Sequence, residues 1–247
     1  MDNVSGLLIM PSADMDESGT FKITNCYLNK NYLPFNQYYA ESSAYWGYDT
    51  FGYGFSITFW SRLEVAYSCT ILNGDWSPYA NTYRAKIMKN QDRHFSAKVL
   101  ALKEGEIWSW TPSVAFGVSD PITSGGSEGY VESGEAGNGF FNRFYAVAAK
   151  HFNTSVGQVG THLGYQYTRR TDFLASGPIA AVDWQPIWIQ NRWFSPKFVL
   201  EYDAKNVNFG FISSIWDDRF EAMFVLQGFQ WVSCGLRYKL RLSGSEK

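Results

Sequence analysis

Hydrophobic and polar residues alternate with a period of two along most of the chain, the pattern of β-strands with two unlike faces. In 155–168, Val159, Thr161, Leu163, Tyr165 and Tyr167 share one face, and Gln158, Gly160, His162, Gly164 and Gln166 share the other. A one-residue slip would swap every side chain, so such a run specifies its own register. The split recurs upstream, where Leu63, Val65, Tyr67 and Ile71 oppose Glu64, Ala66, Ser68 and Thr70. It recurs near the end, where Val232, Leu236, Tyr238 and Leu240 oppose Ser233, Gly235, Arg237 and Lys239.

Segments of this kind predict strands near 20–29, 51–59, 63–72, 93–103, 111–120, 139–151, 155–168, 178–185, 196–203, 206–216, 219–227 and 231–242. The fold class that follows is all-β: a closed, up-and-down antiparallel barrel of about twelve strands, with about ten to fourteen compatible with the pattern. Residues 1–247 read as a single domain. Within it, 1–19 is either an extra edge strand or a segment tucked into the barrel interior, with Gly6–Ala13 its most apolar part.

Alternation alone leaves open which face points outward. A soluble barrel or sandwich turns its apolar face inward, whereas a membrane barrel turns it toward lipid. Two features favour lipid. The polar face is rich in Gly, Ala and Ser with scattered charges, which suits a crowded interior better than a solvated surface. Connector lengths also alternate: long at 30–50, 73–92, 121–138 and 169–177, short at 60–62, 104–110 and 152–154. Long loops on one side and short turns on the other are the outer-membrane arrangement. The regularity weakens at 186–195, a longer Trp-rich connection on the short-turn side.

Composition adds to this reading. Aromatics make up 18% of the chain, and Trp60, Trp108, Trp110, Trp184, Trp188, Trp193, Trp216 and Trp231 fall near strand ends. Indole, with an apolar body and a polar N–H, suits the headgroup zone, so these are the candidate membrane-interface aromatics. Mean hydropathy is only -0.25, and no stretch is long and apolar enough for a spanning helix. A bacterial outer membrane is the expected location, with a signal peptide expected to have been removed.

The inward set of charges follows from the same parity. Candidate lumen-lining cations are Lys22, Lys98, Lys150, Arg237 and Lys239, together with His162. Candidate lumen-lining anions are Glu64, Asp183, Glu201, Asp203 and Glu221. They either brace a packed interior as cross-lumen ion pairs or line a hydrophilic path for saccharides.

Other chemistry is poorly supported. The net charge of -2 excludes a generally basic nucleic-acid binder. Cys26, Cys69 and Cys234 are isolated, and His94, His151 and His162 follow no metal-ligand spacing, so no disulfide framework, metal or cofactor is expected. The Gly-rich stretch 124–139 matches no phosphate-binding loop. No catalytic constellation stands out. His151 near Ser155, and the Glu201/Asp203 pair, are the only candidates worth naming.

Several stretches, in order along the chain, resemble one family. They are Gly6-Leu-Leu-Ile-Met-Pro-Ser-Ala-Asp14 with Asp16 through Gly19, then Asp92-Arg-His-Phe-Ser-Ala-Lys98 and Leu102-Lys-Glu-Gly105. Pro112-Ser-Val-Ala-Phe-Gly-Val-Ser-Asp120, Phe144-Tyr-Ala-Val-Ala-Ala-Lys150 and Leu200-Glu-Tyr-Asp203 follow. Together they are similar to the YjbH-type exopolysaccharide-biosynthesis outer-membrane proteins. The chain departs from that family after Asp120, where Pro121-Ile-Thr-Ser-Gly-Gly replaces its usual Gly-rich continuation. The resemblance implies an outer-membrane barrel tied to export or assembly of extracellular polysaccharide, as a conduit or as the membrane anchor of an export complex. The alternative is a non-conducting structural subunit of an outer-membrane complex. The expected partners are outer-membrane lipid, polysaccharide and other export or outer-membrane proteins.

Overall fold

The structure, a computed structural model, describes residues 4–31, 49–74, 88–121, 141–169 and 175–242. The Gly-rich stretch 124–139 falls outside the described residues. Twelve strands are formed: β1 (Thr20–Leu28), β2 (Thr50–Phe59), β3 (Leu63–Gly74), β4 (Met88–Leu102), β5 (Ser113–Ser119) and β6 (Arg143–Thr154), then β7 (Gly157–Tyr167), β8 (Gly177–Pro186), β9 (Phe194–Tyr202), β10 (Val207–Ile215), β11 (Phe220–Gln227) and β12 (Trp231–Arg241). Each pairs antiparallel with its chain neighbours, and β1 closes onto β12 from Thr20↔Arg241 to Tyr27↔Cys234. Closure leaves no unpaired sheet edge. The expected strands all form, with shifts at their ends. β4 starts at Met88, five residues ahead of the expected 93, and β6 runs on to Thr154, so its turn to β7 is 155–156.

The alternation sorts as the lipid-facing reading requires. Phe95, Tyr165 and Leu163 are 57%, 57% and 67% exposed on the outer face, while Glu64, Lys98 and His162 are all 0% exposed on the inner one. Outer rings stack across the strands in register. Phe55 faces Tyr67, whose ring centroid lies 5.6 Å away, and Tyr67 faces Phe95 at 5.3 Å. Cys26, Cys69 and Cys234 are all free thiols.

The two ends of the barrel differ. One end carries the connections 60–62, 103–112, 155–156, 187–193 and 216–219. The other carries 29–49, 75–87, 120–142 and 168–176, but also the tight turns 203–206 and 228–230, so the length contrast fades after β8. Trp60, Trp108, Trp110, Trp184, Trp188, Trp193 and Trp216 lie in or beside the first set of turns, and Trp231 lies at the opposite end. Trp60 and Ser61 adopt positive φ (53° and 52°), as do Trp216, Asp217 and Asp218 (53°, 52° and 61°). Paired left-handed residues match the twist of the hairpins they close.

The interior is filled by the start of the chain. Residues 4–13 form no wall strand. They fold into a tight loop in which Leu7 N–H donates to Met10 C=O at 3.0 Å and Gly6 bridges Pro11. The segment leaves at the short-turn end, where Ser18 N–H donates to Ser61 Oγ (2.8 Å), Trp60 N–H donates to Ser18 Oγ (2.9 Å), and Gly19 turns into β1.

Candidate functional site

The inner wall has an apolar part and a charged part, and the luminal segment uses both. Leu7, Leu8, Ile9, Met10 and Ala13 pack against Ala115, Tyr145, Val147, Ile179, Val199, Ile212, Met223 and Val225. Leu7, Leu8 and Met10 are each 1% exposed, and burying a side chain of this kind is worth about 1.5–3 kcal/mol. Gly210 makes room: a Cβ there would sit 2.9 Å from Leu8 Cδ1 and 2.0 Å from the Phe224 carbonyl oxygen.

Glu201, on β9, holds the tip of the loop. Its carboxylate accepts the backbone N–H groups of Leu8 (3.1 Å), Ile9 (2.8 Å) and Met10 (3.3 Å). Asn208 Nδ2 donates to it at 3.4 Å. A tight loop points successive N–H groups the same way, and an acceptor-only carboxylate satisfies them together. On the other side of the loop, Arg143 Nη1 donates to Ile9 C=O at 3.0 Å.

A second anchor ties the segment to β1, β3 and β4. Lys98 Nζ donates to Ser5 C=O and to Asp14 C=O, both at 2.6 Å, and lies 3.5 Å from Glu64. Glu64 in turn pairs with Lys22 at 2.7 Å and accepts Ser5 N–H at 2.8 Å. Lys22 also reaches Asp16 at 2.6 Å. Burial alone would raise the Asp16 carboxyl, but the Lys22 and Lys239 ammoniums, with a hydrogen bond from Ser5, hold it well below the usual carboxylate range.

The remaining expected lumen charges are inside as well, except Lys150: on β6 the inward residues are Tyr145, Val147, Ala149 and His151, so Lys150, paired with Thr161, falls on the outer face. Glu221 pairs with Lys239 (2.8 Å) and Arg237 (3.3 Å) near the segment's exit. Beside them Asp217, Asp218, Lys239 and Arg241 line a cleft of about 600 Å³. Asp203 caps the β9–β10 turn, its Oδ1 accepting the Lys205 and Asn206 N–H groups, while its Oδ2 accepts from Asn208 at 2.8 Å. Glu201 and Asp203 are thus both engaged in holding backbone. Lys150 sits toward the short-turn end, paired with Glu104 at 3.0 Å and donating to Ser109 C=O at 2.7 Å. The Trp set named from sequence is solvent-facing at the rims, except for half-buried Trp184, which packs on Trp188 and Phe198.

One grouping had no sequence signal. His151 on β6 and His162 on β7 lie eleven positions apart, but the register pairs His162 with Ala149, which makes the two histidines diagonal neighbours on the inner wall. Asp14 of the luminal segment completes a set of three whose ligand atoms lie within 4.8 Å of one another. Each histidine leans on a carboxylate: His151 Nδ1 on Glu104 at 2.8 Å and His162 Nε2 on Asp183 at 2.6 Å. Asp183 reaches His162 across Gly160, where a Cβ would lie 2.1 Å from its Oδ2. The sequence expectation of no metal site rested on linear spacing, whereas these three side chains are brought together by strand register and a folded-back segment.

No known family model matches the chain, and no curated protein does.

Proposed function

We propose that the protein is a bacterial outer-membrane barrel that serves as the membrane anchor of an assembly exporting or assembling extracellular polysaccharide, with its lumen held shut by its own N-terminal segment. The observation that carries the anchor reading is the seating of residues 4–16, whose backbone is gripped from opposite walls by Glu201, Arg143 and Lys98. A lumen filled to this degree favours attachment over free passage. The membrane half of the proposal draws on the outer face, where large apolar side chains lie exposed around the wall. Strand length agrees: β1, β2, β7, β8, β9, β10 and β12 run nine to eleven residues, the span a tilted strand needs to cross a bilayer. The polysaccharide half rests on the motif resemblance to YjbH-type proteins.

A second reading, a conduit gated by displacement of the segment, is favoured by the charged half of the wall. Lys22, Glu64, Lys98, Arg237 and Lys239 would line a hydrophilic path once the segment left. Gene deletion tests the functional proposal: cell-surface polysaccharide should fall and be restored by the wild-type chain. Unchanged polysaccharide output would overturn it. If Lys98→Ala/Glu201→Ala, which releases the segment, raises surface polysaccharide above the wild-type level as well as conducting in planar bilayers, the conduit reading replaces the anchor reading.

A further inference from the structure

We propose that Asp14, His151 and His162 form a binding site for one divalent transition-metal ion of the zinc or cobalt class, which fastens the luminal segment to the β6–β7 wall. Two imidazoles and a carboxylate are a donor set such ions take, with three protein ligands leaving a further position for water.

The geometry supplies more than the composition. His162 is fully buried, and with Nε2 committed to Asp183 its Nδ1 is left shielded from solvent and without a hydrogen bond. A buried ring nitrogen in that state calls for an explanation, and a metal ion is one. His151 gives Nδ1 to Glu104, which frees Nε2, and that nitrogen lies 3.6 Å from Asp14 Oδ1. Each ring is therefore held from behind by a carboxylate while its other nitrogen is available, the arrangement that orients metal-ligating histidines and raises their basicity. The rings meet nearly at right angles (81°) with centroids 5.7 Å apart, so they do not stack face to face.

The carboxylates of Asp14, Glu104 and Asp183 lie at the cluster, with the ammoniums of Lys150, Lys197 and Lys98 around them, the last donating to the Asp14 carbonyl. Ligand atoms now within 4.8 Å need to close to roughly 3.3 Å of one another around a tetrahedral ion with bonds near 2.0–2.2 Å. Asp14 supplies its carboxylate from the luminal segment, where its backbone is held by Lys98 at the C=O and by Ser12 Oγ at the N–H, so closure needs only a side-chain rotation there. The ion would add a third clamp on that segment, distinct from those at Glu201 and Lys98.

The test uses the full chain refolded in detergent and stripped with chelator, with Co²⁺ as the spectroscopic probe and Zn²⁺ as competitor. Wild-type protein should bind one Co²⁺ with visible d–d absorption, lose the bands on adding Zn²⁺, and unfold at a higher temperature with either ion. His151→Gln/His162→Gln should abolish the bands. Glu104→Gln and Asp183→Asn should each weaken binding by about 10–100-fold. Asp14→Asn, which leaves the wall untouched, should remove the thermal shift even if the histidine variant fails to fold. Wild-type protein without Co²⁺ bands overturns the proposal, as does a folded histidine double variant or Asp14→Asn protein that binds undiminished.

Discussion

Replacing Glu201 with Gln perturbs the luminal segment at its tip while keeping side-chain size. In the wild type one carboxylate accepts three backbone N–H groups, from Leu8, Ile9 and Met10, at 2.8–3.3 Å. A hydrogen bond to a charged group is worth about 1.5–3 kcal/mol net, against about 0.5–1.5 for a neutral pair. Glutamine keeps one acceptor oxygen and turns an NH₂ toward donors, so at least one buried N–H is left unmet, at about 1–3 kcal/mol. Adding the weaker remaining bonds gives a total near 2–4 kcal/mol, or roughly 30- to 1000-fold in the equilibrium for release. Hydrogen exchange reads this directly. In Glu201→Gln the amides of Leu8, Ile9 and Met10 should exchange faster by that factor, while wall amides such as Val147 of β6 stay as they were. Unchanged protection of the three loop amides would refute the reasoning, since it would mean that the carboxylate does not hold the loop.

Three further outcomes are expected. Lys98→Met leaves Glu64 with fewer cations and strips the donor from the Ser5 and Asp14 carbonyls; breaking a buried pair this way costs about 3–5 kcal/mol, measurable by urea unfolding in detergent. For Asp16, the folded carboxyl is held below its ordinary value, so its contribution is present above the unfolded pKa of about 3.9 and is lost as pH falls below it. Asp16→Asn should therefore flatten the acid limb of a stability-against-pH curve, and an unchanged slope would count against the Lys22 and Lys239 pairing. Leu163→Arg places a charge at the middle of β7 on the outer face, where it is 67% exposed; in a bilayer this should cost about 2–4 kcal/mol, whereas water outside would make it nearly neutral.

Strand number, register and the sorting of faces were legible because alternation states them locally. Glu64 and Ala66 could be placed on the face opposite Val65 and Tyr67 from the pattern alone, and on the inner one from the small residues of that face and the connector lengths. The contents of the interior were harder to read, since partners are chosen by closure: Lys22 on β1 meets Glu64 on β3 across β2. A signal for the luminal segment was nonetheless present. Phe198-Val199-Leu200 and Met223-Phe-Val-Leu226 break the alternation with unbroken apolar runs, and such runs mark strands covered on both faces. Val199, Met223 and Val225 are the residues that receive Leu7 to Met10. The Asp14–His151–His162 grouping had no linear trace, because a strand diagonal and a folded-back segment create it.

A membrane-spanning barrel closed by its own N-terminal segment, as proposed, should be electrically silent. Single-channel conductance in planar bilayers tests it most directly, with insertion verified on the same protein by protease protection in liposomes. Inserted wild-type protein should show no steady conductance, and ohmic openings should appear once Lys98→Ala/Glu201→Ala frees the segment. A steady open pore in the wild type, or a chain that stays outside the bilayer, would contradict it.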